Sequence, residues 1–202
     1  MSIFEQAARL NNEGVTALSN GDNQTAIDKL SQSIKRMRQE LSKPGTDLRT
    51  MNSKNTVYEE EATQTVEIPE VDSVITFNQA FTMPSTSGQD ENDLDIHVYS
   101  AAAIFNLALA LQHKGDEKKA ERLYAMVVKL LLNDHCHLRI AVLVKLACLN
   151  NLSQIRFANG DFENAREGLD QLSGFLRRAA GNFEEPEVQG LVMNMLLLKA
   201  PR

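Results

Sequence analysis

The stretch Leu107-Ala108-Leu109-Ala110-Leu111-Gln112-His113-Lys114-Gly115-Asp116-Glu117-Lys118-Lys119-Ala120 decides the fold. An apolar run rich in small residues stops at Gly115-Asp116, and a charged run begins in which Ala120 stands four residues after the Asp. Glycine reaches the left-handed backbone that closes a helix, and aspartate caps the first turn of the next one. The stretch therefore predicts two antiparallel helices joined by a tight turn. Ala108, twelve residues before Ala120, pairs with it where the two backbones must approach.

The same punctuation returns twice. Gly21-Asp22 leads to Ala26, with Gly14 twelve residues before it, and Gly160-Asp161 leads to Ala165, with Ser153 twelve before. Each second helix carries apolar residues in steps of three and four: Ile27, Leu30, Ile34, Met37 and Leu41, then Leu123, Tyr124, Val127 and Leu131, then Leu169, Leu172 and Leu176. That spacing puts them on one helix face. Three helical hairpins follow.

Composition agrees with an all-α fold. Of 202 residues, 43% are hydrophobic but only 5% aromatic, with no Trp, so aliphatic side chains must fill the core. A net charge of −6 and the lack of an acid-free basic cluster argue against nucleic-acid binding. Met1-Ser2-Ile3-Phe4-Glu5-Gln6 has no basic-then-apolar leader pattern, and no apolar run approaches a membrane span. The expectation is a soluble chain, cytoplasmic or nuclear, with no membrane partner.

This arrangement resembles the tetratricopeptide repeat, a 34-residue helix-turn-helix unit. Leu10, Ile104 and Leu149 stand at its large first-helix position; Leu107 and Leu152 precede the small residue, where the first repeat has Glu13. Leu30, Tyr124 and Leu169 match its later aromatic or Leu position, while its Trp and closing Pro are missing. The resemblance implies a right-handed superhelix of three hairpins in a single domain over 1–202. Its parts are repeat 1 over about 3–41, an insert over about 42–97, repeat 2 over about 98–133, repeat 3 over about 138–181 and a capping helix over about 185–198. The segments Ile104–Ala110, Leu149–Ile155 and Leu196–Pro201 are also similar to a set of diatom tetratricopeptide-like proteins with a long variable insert before the Ile-Phe-Asn helix. That similarity implies the fold and adds no activity.

The insert adds about 60 residues to the usual period. It holds Pro44, Pro69 and Pro84 and no helical apolar period. Thr65-Val66-Glu67-Ile68 and Val74-Ile75-Thr76-Phe77 are β-prone and predict a short hairpin continuing to Phe81, which needs a surface to lie on. Phe77 and Phe81 are hard to place in a solvated loop, so the strip Thr65–Phe81 is a candidate occupant of the repeat's own binding groove. The C-terminal run from Leu191 to Leu198 is apolar nearly all round. It predicts a cap on the last hairpin or a surface for a second copy.

One polar position recurs in every hairpin. Asn12, Asn106 and Asn151 each lie two residues before the small residue of the first helix. The resemblance places such an Asn in the concave groove, where its carboxamide can donate to and accept from the backbone of an extended peptide. The alternative is that each Asn bridges adjacent helices inside the stack. Asn11, Phe105, Leu109, Gln112, His113, Asn150, Gln154 and Phe157 are expected on the same side. The carboxylate clamp by which chaperone-tail binders of the family hold a chain terminus is missing: Asn11, Val15, Ala147 and Asn151 stand at its positions, and only Asn106 agrees. Asp134-His135-Cys136-His137 lacks metal-ligand spacing, and no phosphate loop or nucleophile elbow is present. No catalytic residue, metal or cofactor is expected. The expected function is an adaptor that binds an extended protein or peptide segment. The alternatives are a module that self-assembles into a homo-oligomer through its C-terminal helix, or a non-catalytic subunit of a larger complex.

Overall fold

A computed structural model describes residues 2–42, 65–67, 77–83, 96–132, 139–178, 190–192 and 194–195. It is an all-α arrangement of helices packed as sequential antiparallel pairs: α1 (Ile3–Ser19) with α2 (Asn23–Leu41), α3 (Ile96–His113) with α4 (Glu117–Leu132), and α5 (Arg139–Ala158) with α6 (Phe162–Arg178). α2 also packs on α3 and α4 on α5, so the pairs share one core. Residues 190–192 and 194–195 are helical, with Leu191 in that core; the remainder of the expected capping helix lies outside the described residues.

The three turns are built alike. Gly21, Gly115 and Gly160 have φ of 77°, 86° and 80°, the left-handed region that glycine enters without a Cβ penalty. In each, the glycine N–H donates three residues back, to Leu18, Gln112 or Phe157. The following Asp N–H donates five residues back, to Ala17, Leu111 or Arg156, at 2.9 Å in all three cases. This pair of bonds is the Schellman closure. The Asp then opens the next helix: Asp22 and Asp116 accept from the backbone of Thr25 and Lys119, and hydrogen bonds from the Thr25 and Lys119 side chains, together with these backbone bonds, hold both carboxyls below the usual range. Asp161 instead accepts from the Asn164 side chain at 2.8 and 2.9 Å.

The helices cross at the small positions. Gly14, Ala26, Ala108, Ala120, Ser153 and Ala165 are all buried. A Cβ on Gly14 would stand 2.7 Å from Leu30 Cγ, which fixes glycine there. In the third pair the close neighbour of Ser153 is Gly168, where an added Cβ would meet Ser153 Oγ at 2.3 Å. Leu30, Met37, Tyr124, Val127, Leu169 and Leu172 are buried as their spacing requires, each such aliphatic side chain contributing roughly 1.5–3 kcal/mol. α5 alone among the described helices is long and apolar enough to cross a membrane, yet 67% of its apolar window is buried inside the protein.

The insert contributes a two-stranded sheet, whose second strand falls in the expected continuation to Phe81. β1 (Thr65–Glu67) pairs antiparallel with β2 (Gln79–Phe81), with Thr65 opposite Phe81, Val66 opposite Ala80 and Glu67 opposite Gln79. The expected second strand, Val74–Phe77, lies outside the described residues except for Phe77, which precedes β2.

Candidate functional site

Phe77-Asn78-Gln79-Ala80-Phe81-Thr82-Met83 runs along α1, α3 and α5, the first helix of every hairpin. Three carboxamides hold its backbone. Asn151 Oδ1 accepts from the Phe77 N–H at 2.7 Å while its Nδ2 donates to the Phe77 carbonyl at 3.1 Å. Asn106 does the same at Phe81, at 2.9 and 2.8 Å. Asn12 repeats it at Met83, at 2.8 Å in both directions. In extended chain the N–H and C=O of one residue point to the same edge, and alternate residues share that edge. Residues 77, 81 and 83 have one parity, so a single edge of the segment meets all three amides. By the same alternation Ala80 turns its peptide groups to the other edge, where β1 lies.

These amides have further partners among the helices. Asn151 Oδ1 also accepts from Asn150 Nδ2 at 3.0 Å, and its Nδ2 also donates to Tyr124 Oη at 3.1 Å. Asn106 Nδ2 also donates to Asn11 Oδ1 at 3.0 Å, and Asn11 Nδ2 donates to the Phe81 carbonyl at 2.9 Å and to Asn12 Oδ1 at 3.2 Å. A carboxamide offers two donors and two acceptor lone pairs; Asn151 uses all four. Each repeated Asn therefore holds the backbone of residues 77–83 while it also bonds to neighbouring side chains of the helices. Asn11, Asn106, Asn150 and Asn151 are 0% exposed, which makes every one of these bonds costly to lose.

Side chains of the segment are largely buried. Phe77, Ala80, Phe81 and Met83 are buried, while Asn78, Gln79 and Thr82 are half-buried. The rings of Phe77 and Phe81 stack at 6.2 Å, and both meet Phe105 edge-on, at 6.1 and 5.2 Å. Phe105 in turn leans on Tyr124 at 5.5 Å. Burial pushes the Tyr124 phenol well above its ordinary range, so it stays protonated and donates to Gln112 Oε1 at 2.9 Å.

The other expected residues divide. Gln112 and Gln154 join across α3 and α5 at 3.3 Å, and His113 Nε2 meets Asn78 Oδ1 at 2.7 Å, burial lowering the imidazole pKa. Leu109 is buried in the core. Asn150 accepts from Asn194 Nδ2 at 3.0 Å and so ties the C-terminal residues to α5. Phe157 packs edge-on against Phe162 at 5.2 Å. Tyr124, which sequence periodicity marks only as a core residue, proves to be a hydrogen-bonding member of the site. Its signal was present in its residue type, since a buried tyrosine needs a partner for its hydroxyl.

Asp134–His137 lie outside the described residues, as does Cys136 with them. Cys148 is buried and its thiol is pushed well above the ordinary range by burial, the setting of an inert core cysteine. Among the described residues no group of three or more His, Cys, Asp or Glu is placed to hold a metal. No protein-family model, curated protein or solved structure matches the chain.

Proposed function

We propose that the protein is a tetratricopeptide-like interaction scaffold whose hairpins stack into a right-handed superhelix, with a concave groove that takes an extended segment of another protein. The observation that carries the reading is the set of three backbone contacts, one Asn per hairpin at one repeated position, each satisfying both polar groups of a single residue. Such contacts read the backbone and leave the side chains free to vary, which suits recognition of peptides in strand form. The occupant here is the chain's own segment 77–83. The scaffold therefore carries its own competitor.

The C-terminal residues support capping over self-assembly. Leu191 is buried and Asn194 bonds to Asn150, so this part of the apolar run is seated on the last hairpin. An adaptor without catalytic residues, metal or cofactor remains the reading for function.

Panning random phage-displayed peptides tests it, using the full chain with Phe81→Asp to free the groove and circular dichroism to verify its helices. Peptides should be enriched, and adding Asn106→Ala and Asn151→Ala should weaken their binding at least about tenfold, the loss of charge-free hydrogen bonds in a buried site. No enrichment, or binders indifferent to the two Asn, would contradict the proposal.

A further inference from the structure

The groove's contents also say what kind of partner it fits. We infer that residues 77–83 are a built-in copy of the ligand, and that the partner offers an uncharged extended segment of the form Phe-x-x-Ala-Phe-x-Met. This rests on the peptide-binding reading above and adds the specificity to it.

The amides cannot supply that specificity, because they touch only backbone atoms of Phe77, Phe81 and Met83. Four side chains can. Phe77 and Phe81 stack on each other and on Phe105, Met83 is 2% exposed, and Ala80 is 0% exposed, with its burial leaving a methyl-sized place. The two Phe must stand four residues apart, an even step, because an odd step would turn one ring to the opposite face. No residue of the segment is charged, and amides, aromatic rings and the His113 imidazole are among the groups that meet it. Asn78, Gln79 and Thr82 are only half-buried, so those positions constrain the side chain less than the four buried ones.

An exchangeable occupant is what the connections suggest. The segment is joined to α2 through residues 42–76 and to α3 through residues 84–95, and its own sheet partner β1 is three residues long. A pair of such short strands is marginal without the surface beneath it. A covalently attached segment acts at an effective concentration on the order of millimolar, so, for a segment and an external peptide that each bind the free groove at about 10 μM, it would raise the apparent Kd of the peptide by roughly 100-fold.

Fluorescence anisotropy on the full chain tests this with a labelled peptide of the sequence Thr76–Pro84. The chain carrying Phe77→Asp and Phe81→Asp should bind it roughly 100-fold tighter than the unaltered chain. Two control peptides, one with both Phe changed to Ala and one with the second Phe moved by a single position, should bind at least about tenfold more weakly. Equal binding by the two chains, or indifference to Phe spacing, overturns the inference. If the altered chain takes panned peptides of any spacing, peptide binding stands and the motif falls. If it is folded and takes none, both fall. Should the double change cost the helices themselves, the unaltered chain decides. Millimolar peptide should then remove hydrogen-exchange protection from the Phe77, Phe81 and Met83 amides and leave α3 and α5 protected. Protection that persists overturns the inference.

Discussion

The Gly-Asp turns and the segment 77–83 meet the same demand at opposite ranges along the chain. Both must satisfy backbone groups that helix geometry leaves over or that a strand exposes. At the turns the donors and acceptors lie within five residues of each other, and three copies give the same bond at 2.9 Å. For the segment the partners lie 25 to 74 residues away, on three different helices. Local closure makes the hairpins; distant closure makes the site. A repeated residue can thus close a turn in one place and hold a distant strand in another, with only its partner's range telling them apart.

Breaking one rung of the ladder should cost most. Asn151→Ala leaves the Phe77 N–H and carbonyl and the Asn150 amide short of a partner in a buried place, at about 3 kcal/mol in total. Chemical denaturation should show that loss, together with a red-shifted environment for Tyr124, which loses the Asn151 donor. Breaking one turn should cost somewhat less. Gly115→Val forces a β-branched side chain into φ of 86°, and about 2 kcal/mol of strain should appear in the same measurement. The turn variant should lower the stability of the helices while the ladder variant should chiefly free the segment, so proteolysis within 77–83 separates them.

A weaker rung sharpens the comparison. Asn12 is half-buried, so water can replace its bonds to Met83, and Asn12→Ala should cost about 1 kcal/mol by denaturation. The smallest effect is a pH dependence at His113. Burial depresses its pKa below the unfolded value of 6.5, so its contribution is fully present above pH 6.5 and is lost as pH falls below that value. The bond to Asn78 survives protonation, since Nε2 can still donate; the cost is that of burying charge. Thermal unfolding between pH 7.5 and 5.5 should show a slightly larger drop for the unaltered chain than for His113→Gln.

The range of the interactions also explains what the sequence could tell. Gly21, Gly115 and Gly160 with their Asp partners mark the turns because all the chemistry of a turn sits in a few consecutive residues. Asn12, Asn106 and Asn151 stand out through their common offset from the small residues, and Phe77 and Phe81 through the want of any local place to bury them. Val74, Ile75 and Thr76 have the higher β propensity, and the hairpin they predict runs on to Phe81. Among the described residues pairing falls on Gln79–Phe81, beside the Asn ladder, where tertiary contacts support a short strand of modest propensity. Ser33, whose hydroxyl donates to the Ala7 carbonyl at 2.7 Å, and Gly168 against Ser153 were equally hidden, since single small residues carry no period.

Amide hydrogen exchange at Phe81, read by NMR in the full chain and in its Asn106→Ala variant, tests the central claim most directly. The account predicts that the Phe77, Phe81 and Met83 amides are slowed at least about a hundredfold over unstructured chain. It also predicts that Asn106→Ala speeds Phe81 most, with the amides of α3 and α5 unchanged. A Phe81 amide that exchanges at the unstructured rate in the full chain, or that ignores the loss of Asn106, would contradict it.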